Sequence, residues 1–194
     1  MNFDNIIEKA KGFILEPVET FRNSKDDSLS DAFGFFAVLL VLYSVLFGIM
    51  VAAGIDNPFA GIDGFEQLAF TGAFGFVSMF VFSLIGTIVA TLIGGLILHL
   101  FVYIVGGRKG LSETIKAVLY SSTPSLLFGW IPVVGIIFGV WSLILEILGI
   151  RELHEISTGR SLLAVLLPVI LFGILLFAII ILGFFFFTAV VACA

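Results

Sequence analysis

All nine Lys and Arg residues fall into three clusters separated by uncharged apolar runs, and this distribution constrains the chain more than any motif. Four lie within 1–31 (Lys9, Lys11, Arg22, Lys25), three within 106–116 (Arg108, Lys109, Lys116) and two within 151–160 (Arg151, Arg160). The stretch 55–67 carries none, and neither does the Trp130–Val133 turn or the tail beyond Arg160. Cationic loops resist translocation and are held on the cytoplasmic side by the membrane potential and by anionic lipid. The pattern is that of a polytopic membrane chain whose cationic loops all face inward.

Composition agrees. Hydrophobic residues make up 60% of the chain, 23 of them Phe, and the mean hydropathy is +1.24. Soluble domains hold apolar content, Gly included, near ~45–50%. No basic stripe is available to neutralise phosphates, so nucleic acid is excluded as a partner. The net charge of −5 conceals an acidic 55–67 loop (Asp56, Asp63, Glu66) beside mixed-charge segments elsewhere. Cys193 stands alone, which rules out an intramolecular disulfide and a Cys-rich metal site. The first apolar run follows a polar, charged segment, so the first span is expected to serve as its own uncleaved signal anchor.

Charge also counts the crossings. Ala32–Ile55 is an uncharged run of 24 residues, and a span needs about 20. Ser28, Ser30 and Asp31 are candidate caps for its start, and Asn57-Pro58 stops it. Asp63 and Glu66 stand at capping-box spacing and open a second helical region, with a short interface piece around 64–74. Gln67–Gly107 is then 41 residues without charge. Two spans there would export Arg108, Lys109 and Lys116, so one tilted or kinked span is expected. Residues 117–150 pose the reverse problem, because a single span would export Arg151 and Arg160. Pro132 cannot continue a helix interior and Pro124 should kink one, so two short helices are expected, with Trp130 at the outer interface. A re-entrant hairpin that never reaches the far side is the competing reading.

The expected fold is all-α: a 1–31 cytoplasmic segment, then a five-helix transmembrane domain over 32–194, N-terminus in and C-terminus out. The spans fall at about 33–55, 76–104, 112–129, 133–150 and 162–186. Within the head, Phe3, Ile6, Ile7, Ala10, Phe13 and Ile14 recur at helical spacing. They predict an amphipathic interfacial helix over 1–22 that lies on the inner leaflet or packs on a partner.

Ser83, Gly86, Thr87, Ala90, Thr91, Gly94 and Gly95 form a ladder of small residues on the second span. Small side chains let helix backbones approach closely. Packing within the chain is the plain reading and a homo-oligomer seam the alternative. His99 and Glu146 are ionisable residues inside apolar spans, which makes them a candidate intramembrane polar site. Both are close enough to the cytoplasmic ends to reach the interface or to meet Arg151 or Arg160. Arg151-Glu152-Leu153-His154-Glu155 lacks the histidine pair of a zinc-protease helix. With only His99 and His154 available, a transition-metal site is not expected. No cofactor motif is present. Gly106-Gly107-Arg108-Lys109-Gly110 lacks P-loop spacing, though it could meet lipid phosphate.

Several segments resemble one family. Gly106-Gly107-Arg108-Lys109-Gly110, Tyr120-Ser121-Ser122-Thr123-Pro124 and Gly129-Trp130-Ile131-Pro132 are similar to the Yip-one domain family (Ypt-interacting proteins). So are Gly149-Ile150-Arg151-Glu152-Leu153-His154 and Ser157-Thr158-Gly159-Arg160-Ser161, and Glu16-Pro17-Val18-Glu19-Thr20-Phe21 before the first span. The resemblance covers about residues 12–185. It implies a five-helix integral membrane protein with a cytoplasmic N-terminus. In eukaryotic members it implies binding of prenylated Rab-type GTPases and a role in vesicle traffic or membrane shaping. This head lacks the long acidic and aromatic region of those members and looks like that of a short prokaryotic one, so a small-GTPase partner rests on analogy alone.

Two function classes follow. The first is a non-enzymatic, membrane-organising protein of the cell membrane that meets lipid or a cytoplasmic partner. Its face would comprise Arg108, Lys109, Arg151, Glu152, His154 and Arg160. The second is a small transporter or channel with a path through His99 and Glu146. An enzyme is the weakest reading, since no acid–base or nucleophilic set recurs at productive spacing.

Overall fold

A computed structural model describes residues 3–55 and 72–193, with side chains for 4–55 and 72–184. The acidic 55–67 loop beyond Ile55, the Asn57-Pro58 stop, the Asp63/Glu66 capping box and nearly all of the 64–74 interface piece lie outside the described residues. The side chain of Cys193 does too.

The described chain is helical and contains no strand: α1 Phe3–Leu15, α2 Pro17–Asn23, α3 Leu29–Ala52, α4 Gly72–Ile104, α5 Leu111–Ser121, α6 Thr123–Phe128, α7 Val134–His154 and α8 Thr158–Cys193. Four of these, α3, α4, α7 and α8, are long and apolar enough to cross a membrane. The protein is therefore an integral membrane protein.

Local chemistry explains the boundaries. Ser28 caps α3: its hydroxyl accepts from Asp31 N at 3.1 Å, while the Asp31 carboxylate accepts from Ser28 N at 3.1 Å. This reciprocal pair satisfies two end groups of the helix, and it starts α3 four residues before the expected Phe33. The single helix expected over 1–22 is in fact two, because Pro17 opens α2 at its first turn and separates it from α1. The third expected span is likewise broken. Its helix ends at Ser121, and Pro124 sits in the first turn of α6 rather than kinking a continuous rod. The turn before α7 bends at Val133, whose φ of +67° is left-handed backbone for a β-branched residue.

The core lies where the head meets the bundle. Phe13, Phe21, Phe35 and Tyr120 are all fully buried. The Phe13 ring stacks on Tyr120 at 4.9 Å and meets Phe21 edge-on at 4.8 Å. Such aromatic pairs add about 0.5–1.5 kcal/mol each beyond their buried area. Gly149 makes room for this, since a Cβ there would lie 2.8 Å from the Phe21 ring. So Ile6, Ala10 and Phe13 on the apolar face of α1 turn into the protein's own core, while Ile7 of the same face stays exposed.

The small-residue ladder on α4 is used only in part. Ser83 and Gly95 are buried, and a Cβ on Gly95 would strike Ile115 at 2.6 Å. Gly86 and Gly94 have open space where a side chain would begin, and Ala90 is exposed, so these three do not mediate helix packing within the chain. Thr87 and Thr91 are half-buried. The close α3–α4 approach falls instead at Gly48, 3.1 Å from the Phe76 carbonyl at its would-be Cβ.

Candidate functional site

The charged residues gather at one end of the bundle, where the head, the α4–α5 turn and the α7–α8 turn converge. Lys9 of α1 pairs with Asp27 and lies over the Tyr120 ring, 4.5 Å from its centre. The Tyr120 hydroxyl donates to Asp27 at 2.5 Å, so one carboxylate gathers a cation and a phenol. Lys116 is almost fully buried, and its ammonium donates to the carbonyls of Lys25 and Asp27 at 2.9 and 3.0 Å. It also pairs with Glu113 at 2.9 Å. All three ammonium protons are thereby placed, which is what makes a buried lysine tolerable.

A second row links the head to α7. Arg22 and Arg151 both bind Glu152, at 2.9 and 2.7 Å. Lys25 and Lys109 both bind Glu155, at 3.1 and 2.7 Å. The bonds from Lys109 and Lys25 hold the exposed Glu155 carboxyl below its usual range. These partners lie up to 130 residues apart in the chain, so no short-range pattern announces them.

Beneath this row a hydroxyl joins both histidines. The Thr114 hydroxyl lies 2.8 Å from His99 Nδ1 and 2.9 Å from His154 Nε2. His154 is buried, and its Nδ1 has no hydrogen-bond partner. The tautomer that leaves no buried N–H unpaired puts the His154 proton on Nε2, donating to Thr114, which donates in turn to His99. Gly107 closes the pocket: a side chain there would begin 2.4 Å from Val102 and 3.0 Å from His154 Nδ1.

The structure thus redistributes the predicted residues. Of the six expected on a partner-binding face, His154 is interior, while Arg151, Glu152 and Lys109 are engaged in ion pairs within the chain. Arg108 and Arg160 remain exposed. Arg108 stacks on the Tyr103 ring at 3.7 Å and donates to the Tyr103 carbonyl at 2.6 Å. Arg160 Nη1 lies 3.4 Å from where a side chain on Gly106 would start, so both guanidiniums border the same glycine turn.

His99 and Glu146 do not form one site. His99 turns to Thr114 and His154, whereas Glu146 lines a groove with Ser121, Ser122, Ser125 and Ser142. Nor does Glu146 pair with Arg151 or Arg160, the former being held by Glu152. Thr114 and Asp27 carry no expectation from sequence, and Lys116 and Tyr120 enter there only within a cation cluster and a family-like segment. Of these, Lys116 carried a signal that could have found it, as the one cation of α5.

The head folded over a broken, glycine-turned hairpin carries the segments that resemble one family. The Yip1 domain matches residues 11–191. The chain belongs to the Yip1 family. No curated protein and no solved structure matches it. The matched region begins within α1 and runs into the last turn of α8, so it takes in α2 to α7 and every Lys and Arg of the chain except Lys9.

Proposed function

We propose that this Yip1-family chain is a non-enzymatic membrane-organising protein whose polar end faces the cytoplasm and meets anionic lipid headgroups or an acidic partner through Arg108 and Arg160. One observation carries the reading. Every other cation of the 106–116 and 151–160 clusters is neutralised inside the chain, whereas these two guanidiniums stand exposed beside one turn, with no carboxylate partner among the described residues. Guanidinium forks match phosphate and carboxylate geometry, and the Tyr103 ring holds one of them in place. Five crossings, N-terminus in and C-terminus out, keep all nine cations on one side if α5 and α6 together serve as a broken third crossing. A path through His99 and Glu146 has less support, because these residues face different surroundings.

Native mass spectrometry of the purified chain in mixed lipid tests the reading. Retention of phosphatidylglycerol over phosphatidylcholine is expected, and Arg108→Ala with Arg160→Ala should abolish that preference. Equal retention of both lipids by the parent protein, together with no acidic partner crosslinked from positions 108 and 160, would sink it. Cysteine labelling in a Cys193→Ala background tests the topology, with positions 108 and 160 expected on one side and position 131 on the other.

A further inference from the structure

Glu146 lies eight residues before the end of α7, about 12 Å along the helix axis at about 1.5 Å per residue. It forms no hydrogen bond or ion pair with any described residue, unlike the carboxylates Glu152 and Glu155 on the same helix end. An unneutralised carboxylate at such a position is costly and demands a compensating charge or proton. Its surroundings differ on its two sides. Toward α4 and α8 it borders an apolar groove of about 390 Å³ that passes Gly94 and Pro168. Toward the α5–α6 break it borders a groove of about 220 Å³ walled by Ser121, Ser122, Ser125 and Ser142.

The hydroxyl protons in the second groove are largely spent. Ser121 donates to the Val118 carbonyl at 3.0 Å and Ser122 to the Leu119 carbonyl at 2.7 Å. Ser125 and Ser142 share a hydrogen bond at 2.8 Å, and the Ser125 N–H donates to the Ser142 oxygen at 3.1 Å. With the Ser125 hydroxyl donating to the Phe138 carbonyl at 3.4 Å, Ser142 donates to Ser125 and both protons are placed. What these serines turn to the groove is oxygen lone pairs. A wall of acceptors beside an unpaired carboxylate suits a ligand that carries positive charge and needs no acceptor of its own.

We propose that Glu146 and the hydroxyls of Ser121, Ser122, Ser125 and Ser142 form a binding site for a monovalent cation at the break between α5 and α6. The charge count selects the valence. One carboxylate among neutral oxygens balances a single positive charge, whereas a divalent ion would leave net charge in an apolar setting. Broken helices are where oxygen ligands become available at membrane depth, and here the chain interrupts its helix at Ser122, with Pro124 following. The site is independent of the anion-binding reading of Arg108 and Arg160, which concerns the turns beyond the C-terminal end of α7.

The test is thermal unfolding of the full chain in neutral detergent at one pH and one ionic strength. Lithium, sodium, potassium or N-methylglucamine is supplied as the chloride. One alkali cation should raise Tm above the N-methylglucamine value, with saturation as its concentration rises. Glu146→Gln should be flat across the series, and Ser125→Ala with Ser142→Ala should move half-saturation at least tenfold higher. Identical Tm in all four salts overturns the proposal without any variant. So does a full cation response retained in Glu146→Gln, or a Tm that follows pH and none of the cations.

Discussion

The polar end of the bundle and the groove around Glu146 handle charge in opposite ways. At the polar end Asp27, Glu113, Glu152 and Glu155 each meet a cation, and buried Lys116 has a partner for every proton. Eight residues before the end of α7, Glu146 has only hydroxyls and apolar groups around it. The difference teaches where each kind of group is stable. Saturated networks rigidify a docked segment, and a lone carboxylate in an acceptor-lined groove is stable only with something supplied from outside.

Breaking the docked side should give the largest effect. Phe13→Ala removes a fully buried ring from the contact with Phe21, Phe35 and Tyr120. A loss of about 3–5 kcal/mol is expected, read by denaturant unfolding in detergent together with early protease cleavage between α2 and α3. Asp27→Ala should come next. It strips Lys9 and the Tyr120 hydroxyl of their shared acceptor, at about 2–3 kcal/mol for a charge-assisted pair. An unchanged unfolding midpoint would show that the aromatic cluster alone holds the head.

Glu146→Gln sharpens the comparison from the other side. In N-methylglucamine buffer it should leave stability unchanged or raise it by up to about 1 kcal/mol, because a neutral isostere removes an uncompensated charge. A marked loss would reveal a structural partner for the carboxylate. The smallest effect belongs to Glu155, whose carboxyl is held below its usual range near 4.5 by Lys109 and Lys25. A depressed folded value means the group contributes above that range and loses its contribution as pH falls through the folded value. Parent and Glu155→Gln should therefore differ at neutral pH and converge in acid, followed by protease release of the head.

Long uncharged runs showed where α3, α4, α7 and α8 would lie, because a span must be apolar over a length set by the bilayer. Pro132 announced a break, since it cannot sit in a helix interior without loss, whereas Pro124, expected to kink a continuous helix, instead lies in the first turn of a new one. The fate of α1 was not legible. Periodicity in Ile6, Ala10 and Phe13 reveals an apolar face but not what covers it, and the rings that do, Phe35 and Tyr120, are distant in sequence. The site was legible only in its ingredients. His99 and Glu146 stand out in apolar runs, yet Thr114 draws one toward His154 while the serines of α5–α7 surround the other. Ion pairs spanning 130 residues, such as Arg22 with Glu152, leave no local trace.

Lys116 grips main-chain oxygens of residues 25 and 27 and no side chain of either. Such a tether is blind to which amino acids the connecting strip carries, provided its peptide groups keep their course. The fastening by one ammonium inside α5 therefore outlasts Asp27→Ala, which removes only the separate contacts of that carboxylate with Lys9 and Tyr120.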